Sequence, residues 1–405
     1  MQFHTRMAPR DPDEEHRAAT PLELFLDLAF VVAVAQVATV LHHELVEGHA
    51  GDALVGYPLV FFAIWWAWVN LAWFGSAYDP GDALYRVAVF VQVTGVLILA
   101  SGVPRAFEAR DFGVIVGGYV VIRLALVAQW LRAAWSHEEG RPGTLRFALG
   151  ITVVQLGWVA LLFTPESVFL AGFGVLALAE LAVPWWAEGA APTPWHPRHI
   201  VERYALFTII VLGESVLSTT FGVQEALDAE SSFGDLATVV VGGLLIVFCL
   251  WWVYFDLPSE RVVTQARPNP GTRGLMAFVW GYGHYFVYAS AAAVGAGLAV
   301  GVDHAAGHSE LSDVEAGATV TVPVAVYILV VWGLHVRAKP PGWLHTAGGP
   351  GAAALVLLAT FGPEPVLVTG LILTTLVVLT VISPDPLDDA DEHALDRAEE
   401  PTLSG

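Results

Sequence analysis

The sequence is poor in charged residues and almost lacks two residue types, cysteine and lysine. Only 14% of the 405 residues are charged, whereas soluble domains average about 25%. Cys249 is the single cysteine, which excludes an intrachain disulfide and a metal cluster built on cysteines. Lys339 is the single lysine beside 17 arginines. This composition argues against an ordinary soluble domain and against a disulfide-stabilised one.

Several motifs of common enzymes are also missing. The sequence contains no GxxxxGK[ST], HExxH, GxSxG or CxxC pattern, so an ATP-driven pump and a standard hydrolase have no support. We predict no cofactor and no metal site. The net charge of −21 argues against nucleic acid as a partner. An acidic surface with few lysines is typical of proteins from salty surroundings, and an ordinary acidic surface is the alternative.

Long hydrophobic runs are abundant instead. Hydrophobic residues make up 56% of the chain, and its mean hydropathy is +0.61. Runs of this length and composition are typical of membrane-spanning helices, so we predict an all-α, polytopic helical membrane protein with about twelve transmembrane helices. The predicted spans are 21–41, 54–74, 83–103, 112–132, 145–164, 167–186, 199–221, 234–256, 274–300, 315–336, 343–361 and 363–383.

The distribution of basic residues predicts the orientation. With the N-terminus inside, the inner segments carry fifteen Arg or Lys residues and the outer loops carry only Arg105 and Arg110. Such a bias places both termini in the cytoplasm of a multi-pass protein of the cell membrane. The first 20 residues lack an apolar core, so we expect no cleavable signal peptide. The predicted parts are an N-terminal segment (1–20), a six-helix half (21–186), a linker (187–198), a second six-helix half (199–383) and an acidic disordered cytoplasmic tail (384–405).

The two halves contain similar motifs. The second span has Trp65-Trp66-Ala-Trp68-Val-Asn70, and the eighth has the corresponding run from Trp251 to Asp256. Six spans per half give both halves the same orientation, so the motif predicts a parallel internal repeat. Chance similarity between two tryptophan-rich helices is the alternative.

Six carboxylates lie within the hydrophobic segments: Glu23, Asp27, Glu180, Glu202, Glu214 and Asp256. An ionisable group in a spanning helix costs at least about 2.5–3.5 kcal/mol, so it pairs, faces water or has a function. Glu23 and Asp27 are four residues apart and share one helix face. They repel each other unless a cation approaches or one of them is protonated. Arg203 and Arg123 are the available cations.

Glu214 is the acid that we expect to matter most. It follows Gly213 and lies about 20 Å along the helix from His199, with Ser218 one turn beyond. A glycine at this point would let a backbone, an ion or a substrate come close. A neutral glutamic acid that bonds across a helix interface is the alternative.

The remaining polar candidates have strong structural alternatives. Glu202 and Arg203 begin the seventh span, where an interfacial capping pair is a sufficient explanation. Arg123 lies in mid-span and needs a carboxylate, with Glu180 or Asp27 as the partner.

Asn70 and Asp256 end their spans at the inner side, where an interfacial position explains both. His284 lies among tyrosines of the ninth span, where it either relays protons or is a core histidine bonded to a tyrosine. His42, His43 and His49 of the first outer loop have a spacing that zinc sites also use, but this signal is weak.

The sequence resembles the bacterial low-temperature-requirement A family of polytopic membrane proteins. The stretches that carry the resemblance are 20–36, 65–80, 198–215 and 250–257. The resemblance implies an integral membrane protein without a defined biochemical activity. The pattern residues that it carries over are Glu23, Asp27, Glu202, Arg203, Glu214 and Asp256, and Tyr204 stands where the family often has phenylalanine.

We therefore expect a secondary transporter or an ion-translocating protein, coupled to protons or cations through its intramembrane carboxylates. The bilayer surrounds it, and the substrate is a proton, a cation or a small molecule; homo-oligomerisation stays open. A membrane-embedded enzyme or sensor is the alternative, with Glu214, Asp256 and His284 around one pocket. A structural protein of stress adaptation is a third, in which all six acids are tightly paired.

Overall fold

The described part of the chain is entirely helical. The computed structural model describes residues 3–11, 14, 17–228, 233–256, 273–335 and 342–383. The acidic tail predicted at 384–405 lies outside these residues. The described residues form thirteen helices and no strand. These helices are α1 (Pro21–Val46), α2 (Ala50–Ala77), α3 (Ala83–Ser101), α4 (Val103–Glu108), α5 (Gly113–Ser136), α6 (Arg141–Leu161), α7 (Glu166–Glu188), α8 (Pro197–Asp228), α9 (Phe233–Phe255), α10 (Arg273–Ala305), α11 (Asp313–His335), α12 (Trp343–Ala359) and α13 (Pro365–Ile382).

Ten helices of the described chain are long and apolar enough to cross a membrane. The prediction of a polytopic helical membrane protein is therefore confirmed. Large apolar side chains such as Leu124, Leu156 and Leu178 are at least 65% exposed on these helices, which suits contact with lipid rather than water. Three helices are not among the ten: the six-residue α4, α8, which carries charged residues near both ends, and α12, which has a shorter apolar stretch at Thr346–Ala359.

The chain divides into two compact units. The first comprises Met1–Glu214 and Val263–Phe278, and the second comprises Ser215–Val262 and Val279–Gly405. The beginning of α8 therefore packs with the first unit. In the second unit, Tyr327 donates to the carbonyl of Leu250 at 3.2 Å, and this bond joins α11 to α9.

Polar contacts tie the helix ends of the first unit together. Thr20 and Glu23 form a capping box at the start of α1, and the Arg17 guanidinium donates to the carbonyls of Gly75 and Ser76 at the end of α2. Asp82 caps α3, where its carboxylate accepts from the backbone N–H of Tyr85 and from Arg132. Burial alone would raise the pKa of Asp82, but the Arg132 guanidinium and the backbone donors lower it to about 2. These contacts fix the helix ends next to the buried charges described below.

Helices α3 and α5 cross with their backbones in close contact at Gly95 and Gly118. A methyl group placed on Gly118 would lie 2.5 Å from the carbonyl oxygen of Gly95 and 2.5 Å from the backbone nitrogen of Leu99. Small residues at such crossings allow the close approach on which packing within membranes depends.

We expect Gly118→Ala to destabilise the protein by about 1–3 kcal/mol, because the added methyl group forces two backbones apart. The neighbouring Gly117 provides a matched control, since a methyl group there would meet no atom within 4 Å. Unfolding by denaturant in detergent micelles measures both variants. Equal stability of Gly117→Ala and Gly118→Ala would contradict the proposed role of the crossing.

Candidate functional site

Two carboxylates and an arginine meet inside the first unit. Glu23 and Asp27 lie one turn apart on α1, and Arg203 of α8 contacts both of them. The Arg203 Nη1 atom is 3.1 Å from Glu23 Oε1, and Nη2 is 2.5 Å from Asp27 Oδ1. Exposure is 4% for Glu23, 0% for Asp27 and 1% for Arg203. The expectation that a cation would approach the two acids is met by Arg203.

His199 and Trp68 complete this cluster. His199 lies one turn before Arg203 on α8, and its Nε2 atom is 3.2 Å from Glu23 Oε1. The indole N–H of Trp68 on α2 donates to Asp27 Oδ1 at 2.8 Å. The i,i+4 pair of α1 therefore faces the i,i+4 pair of α8, and α2 packs beside them. We call Glu23, Asp27, Trp68, His199 and Arg203 the acid–arginine cluster.

The ionisable groups of this cluster do not balance without a further proton. With both acids ionised, Arg203 protonated and His199 neutral, the net charge is −1. The neighbouring Arg17 and Asp79 interact electrostatically with Glu23 and add one charge of each sign, so the sum stays at −1. One proton on the imidazole or on a carboxyl makes the cluster neutral. A buried net charge is unfavourable in a medium of low dielectric constant. The net charge of the cluster therefore depends on whether it holds that proton.

Several polar atoms of the cluster make no hydrogen bond to any described residue. They are Glu23 Oε1, Asp27 Oδ2, His199 Nδ1 and Arg203 Nε; of these, Glu23 Oε1 has the ionic contacts given above. An unpaired buried polar group costs about 1–3 kcal/mol. The donor and acceptor capacity of the cluster is therefore only partly used in this conformation.

A second buried ion pair lies in the same unit and differs from the cluster in its charge. Arg123 Nη2 of α5 is 3.1 Å from Glu180 Oε2 of α7. The indole N–H groups of Trp66 and Trp158 also donate to Glu180, at 2.8 and 3.1 Å. Tyr119 accepts from Arg123 at 2.5 Å. Both carboxylate oxygens are bonded and the pair is neutral, so this centre needs no proton for its balance.

The two carboxylate centres are joined by α2. Trp66 donates to Glu180 and Trp68 donates to Asp27. The two tryptophans are separated by one residue, so their positions differ by about 3 Å along the helix axis. The tryptophan motif of the sequence is therefore the element that carries the indole donors of both centres.

Comparison with known proteins places this architecture in a family. The profile of the bacterial low temperature requirement A proteins (LtrA) matches residues 18–383, which is most of the chain. The chain belongs to the LtrA family. It is 25% identical over 293 residues to an uncharacterised protein of Rhizobium meliloti (strain 1021), with 69% of this chain and 68% of that protein covered. No solved structure matches the chain.

In this LtrA protein, some predicted site residues lie outside the acid–arginine cluster. Glu202 is half-buried and accepts from the backbone N–H of Ala19 at 3.2 Å. Asn70 donates to the carbonyl of Trp66 within α2, at 2.8 Å. Both contacts fit the interfacial or structural alternatives that the sequence left open for these residues.

Glu214 and Ser218 of the LtrA protein are both half-buried on α8. The preceding Gly213 is exposed, and a methyl group placed on it would meet no described atom within 4 Å. No neighbouring backbone in the described chain therefore uses the space that this glycine leaves. Asp256 is exposed just beyond the end of α9.

His284 is a buried histidine of the second unit and is 0% exposed. Its Nδ1 atom is 2.8 Å from the carbonyl oxygen of Trp280, and its Nε2 atom is 3.0 Å from the hydroxyl of Tyr254. A carbonyl can only accept, so Nδ1 carries the proton and Nε2 accepts from the tyrosine. This geometry fits the core histidine of the two alternatives, although the bonded tyrosine is on α9 rather than beside His284 on α10.

Sequence reasoning missed two members of the cluster. His199 lies four residues before Arg203, so the i,i+4 rule that linked Glu23 with Asp27 could have found it. The sequence pattern identified Trp68 as part of an aromatic motif and not as a hydrogen-bond donor. Tyr204, which stands where the family often has phenylalanine, accepts a hydrogen bond from the Trp73 indole N–H at 3.1 Å. Among the described residues, no group of three or more His, Cys, Asp or Glu side chains could hold a metal ion.

Proposed function

We propose that this LtrA protein is a proton-coupled secondary transporter or ion-translocating protein of the cell membrane. The acid–arginine cluster is the proposed site of proton exchange. The observation that carries the proposal is its composition: two acids, one arginine and one histidine, all buried, need one more proton to become neutral. The neighbouring Arg17 and Asp79 carry opposite charges and do not change this sum. Buried acids in membrane helices are the groups through which transporters couple to protons.

The proposed mechanism follows from the geometry of Arg203. In the deprotonated cluster, Arg203 holds both carboxylates, and therefore holds the start of α8 against α1. A proton on Asp27 removes one of these two attractions and leaves Arg203 paired with Glu23. Protonation thus weakens the contact between the two helices, and loss of the proton restores it. A coupled transporter requires this kind of two-state element.

The proposed topology has twelve spans in a parallel 6+6 repeat, with both termini in the cytoplasm. Cavities at corresponding elements support the repeat. In the first unit, the start of α2, the α3–α5 connection and the α6–α7 connection line a cavity. In the second unit, the start of α9, the α10–α11 connection and the α12–α13 connection line another. These elements are six spans apart in each case.

The geometry gives less support to the enzyme or sensor alternative. That function needs Glu214, Asp256 and His284 as reactive groups. Both ring nitrogens of His284 are engaged by Trp280 and Tyr254, and Asp256 is exposed. Three tightly bonded acids, Glu23, Asp27 and Glu180, are consistent with a structural role, but only Glu180 belongs to a neutral centre.

We expect Asp27→Asn to abolish proton movement across liposome membranes. The amide still accepts the Trp68 N–H and leaves Arg203 balanced by Glu23, so folding is retained while the exchangeable proton is lost. Flux is followed with a pH-sensitive dye trapped in proteoliposomes, under imposed proton and cation gradients. Infrared difference spectra across pH report carboxyl protonation independently of any substrate.

The matched control is Glu310→Gln, which neutralises an exposed acid of the second unit. It should behave as wild type in both measurements. Unchanged flux and an unchanged carboxyl signal in folded Asp27→Asn protein would overturn the proposal. Glu214→Gln is the second variant to assay, because Glu214 is half-buried and lies near the middle of α8.

A further inference from the structure

A cavity of about 590 Å³ opens at one end of the first unit. It lies at the end opposite to the capping box of α1, which is the outer end in the proposed topology. Its volume falls within the range of about 300–1,000 Å³ that is typical of small-molecule sites. We call this cavity the vestibule.

The rim of the vestibule is predominantly acidic. Asp52, Glu108, Asp111 and Glu166 line it, and Arg110 is the one basic residue of its described lining. The Arg110 guanidinium is already engaged, at 2.8 Å from Asp52 and 2.9 Å from Glu166. Arg105 lies 3.9 Å from Asp111, so the ionised rim with its two arginines carries a net charge of −2, which attracts a cation and repels an anion.

The inner part of the vestibule is apolar and aromatic. The rings of Phe112 and Phe169 have centroids 4.8 Å apart. Both residues also line a smaller cavity, and Tyr119 and Trp158 are among its other lining residues. These two side chains are bonded to the buried pair, since Tyr119 contacts Arg123 and Trp158 contacts Glu180. The vestibule thus leads from acidic groups, past aromatic rings, toward an ion pair.

The corresponding cavity of the second unit, of about 400 Å³, has a different lining. Two prolines, Pro363 and Pro365, stand near Asp313 and Glu364, and no Phe, Tyr or Trp is among its described lining residues. The combination of acidic rim and aromatic rings is therefore a property of the vestibule and not of the repeat.

We propose that the vestibule binds a small organic cation, with the charged nitrogen at the acidic rim and the apolar body against the paired rings of Phe112 and Phe169. Aromatic faces attract cations, and negative charge at the rim adds to this attraction. The identification of this cation as the transported solute rests on the proposed transport function. The proposal that the vestibule binds such a cation does not rest on the transport function.

Calorimetry on the full chain in detergent micelles tests the proposal with three probes of similar size. The probes are benzyltrimethylammonium, benzyl alcohol and benzenesulfonate. We expect benzyltrimethylammonium to bind most tightly, and benzenesulfonate to bind least. The preference should shrink as the Debye length falls from about 30 Å in 0.01 M salt to about 8 Å in 0.15 M salt.

Variants separate the two parts of the site. Glu108→Gln combined with Asp111→Asn should weaken benzyltrimethylammonium binding about 3–10-fold, since each exposed charge contributes modestly. Phe169→Ala should weaken it about tenfold, and Ala109→Trp should block the vestibule. Glu310→Gln is the control and should bind as wild type does.

Equal affinity for the three probes, or no binding of any of them, would overturn this inference. So would wild-type affinity in folded Ala109→Trp protein. Vestibule variants that lose binding but keep the pH-dependent carboxyl signal of Asp27 would support both proposals. Loss of that signal in Asp27→Asn, without any binding of the cation by wild type, would leave the proton site standing and refute the vestibule alone.

Discussion

Arg203→Met is expected to lower the free energy of unfolding by about 3–5 kcal/mol, because it leaves two buried carboxylates without their cation. Glu23 and Asp27 share one face of α1, and Arg203 contacts both. Removal of the arginine therefore leaves two like charges side by side in a site that is at most 4% exposed. Unfolding by denaturant in micelles measures the loss.

Neutralisation of the acids should restore stability to the Arg203→Met protein. Glu23→Gln keeps the capping box, since glutamine serves at that position as glutamate does, and Asp27→Asn keeps an acceptor for Trp68. The triple variant should regain most of the loss. Arg198→Met removes an exposed arginine from the same helix and should change stability by less than about 0.5 kcal/mol. A small effect of Arg203→Met would show that the acids do not depend on it.

Glu180→Leu is expected to be comparably destabilising, by about 3–5 kcal/mol, for a different reason. It leaves Arg123 as an uncompensated buried cation and removes the acceptor of two indole N–H groups, those of Trp66 and Trp158. The same unfolding measurement in micelles applies.

The double variant Arg123→Met with Glu180→Leu distinguishes a structural pair from a functional site. Well-packed apolar replacements of a buried ion pair are often neutral or stabilising by about 1–4 kcal/mol. We expect the double variant to recover much of the stability and to keep proton flux. Loss of flux in a folded double variant would assign the pair to the translocation mechanism and contradict its structural role.

The amino-acid sequence alone was sufficient for the class of protein and for part of the site. Hydropathy located the apolar segments, since burial in lipid depends on composition more than on tertiary contacts. The shared face of Glu23 and Asp27 followed from helix periodicity, and electrostatics then required a cation. Both arguments use residues that are close together in the sequence.

Contacts between distant helices could not be deduced in this way. Charge balance limited the partner of Arg123 to Glu180 or Asp27, but only the packing of α5 against its neighbours selects Glu180. Side chains that are neutral were harder still to assign to the site from the sequence. His199 and Trp68 contribute an imidazole and an indole N–H, and the need for either is visible only when the two acids are seen buried beside them.

The placement of Trp66 and Trp68 on α2 has a mechanical consequence. The Trp66 indole donates to Glu180 and the Trp68 indole donates to Asp27, and both indoles move with the same helix. A shift of α2 along its axis by about 1 Å would lengthen both indole–carboxylate bonds toward the limit of hydrogen bonding. A displacement of α2 that breaks the bond between Trp68 and Asp27 therefore also weakens the bond between Trp66 and Glu180.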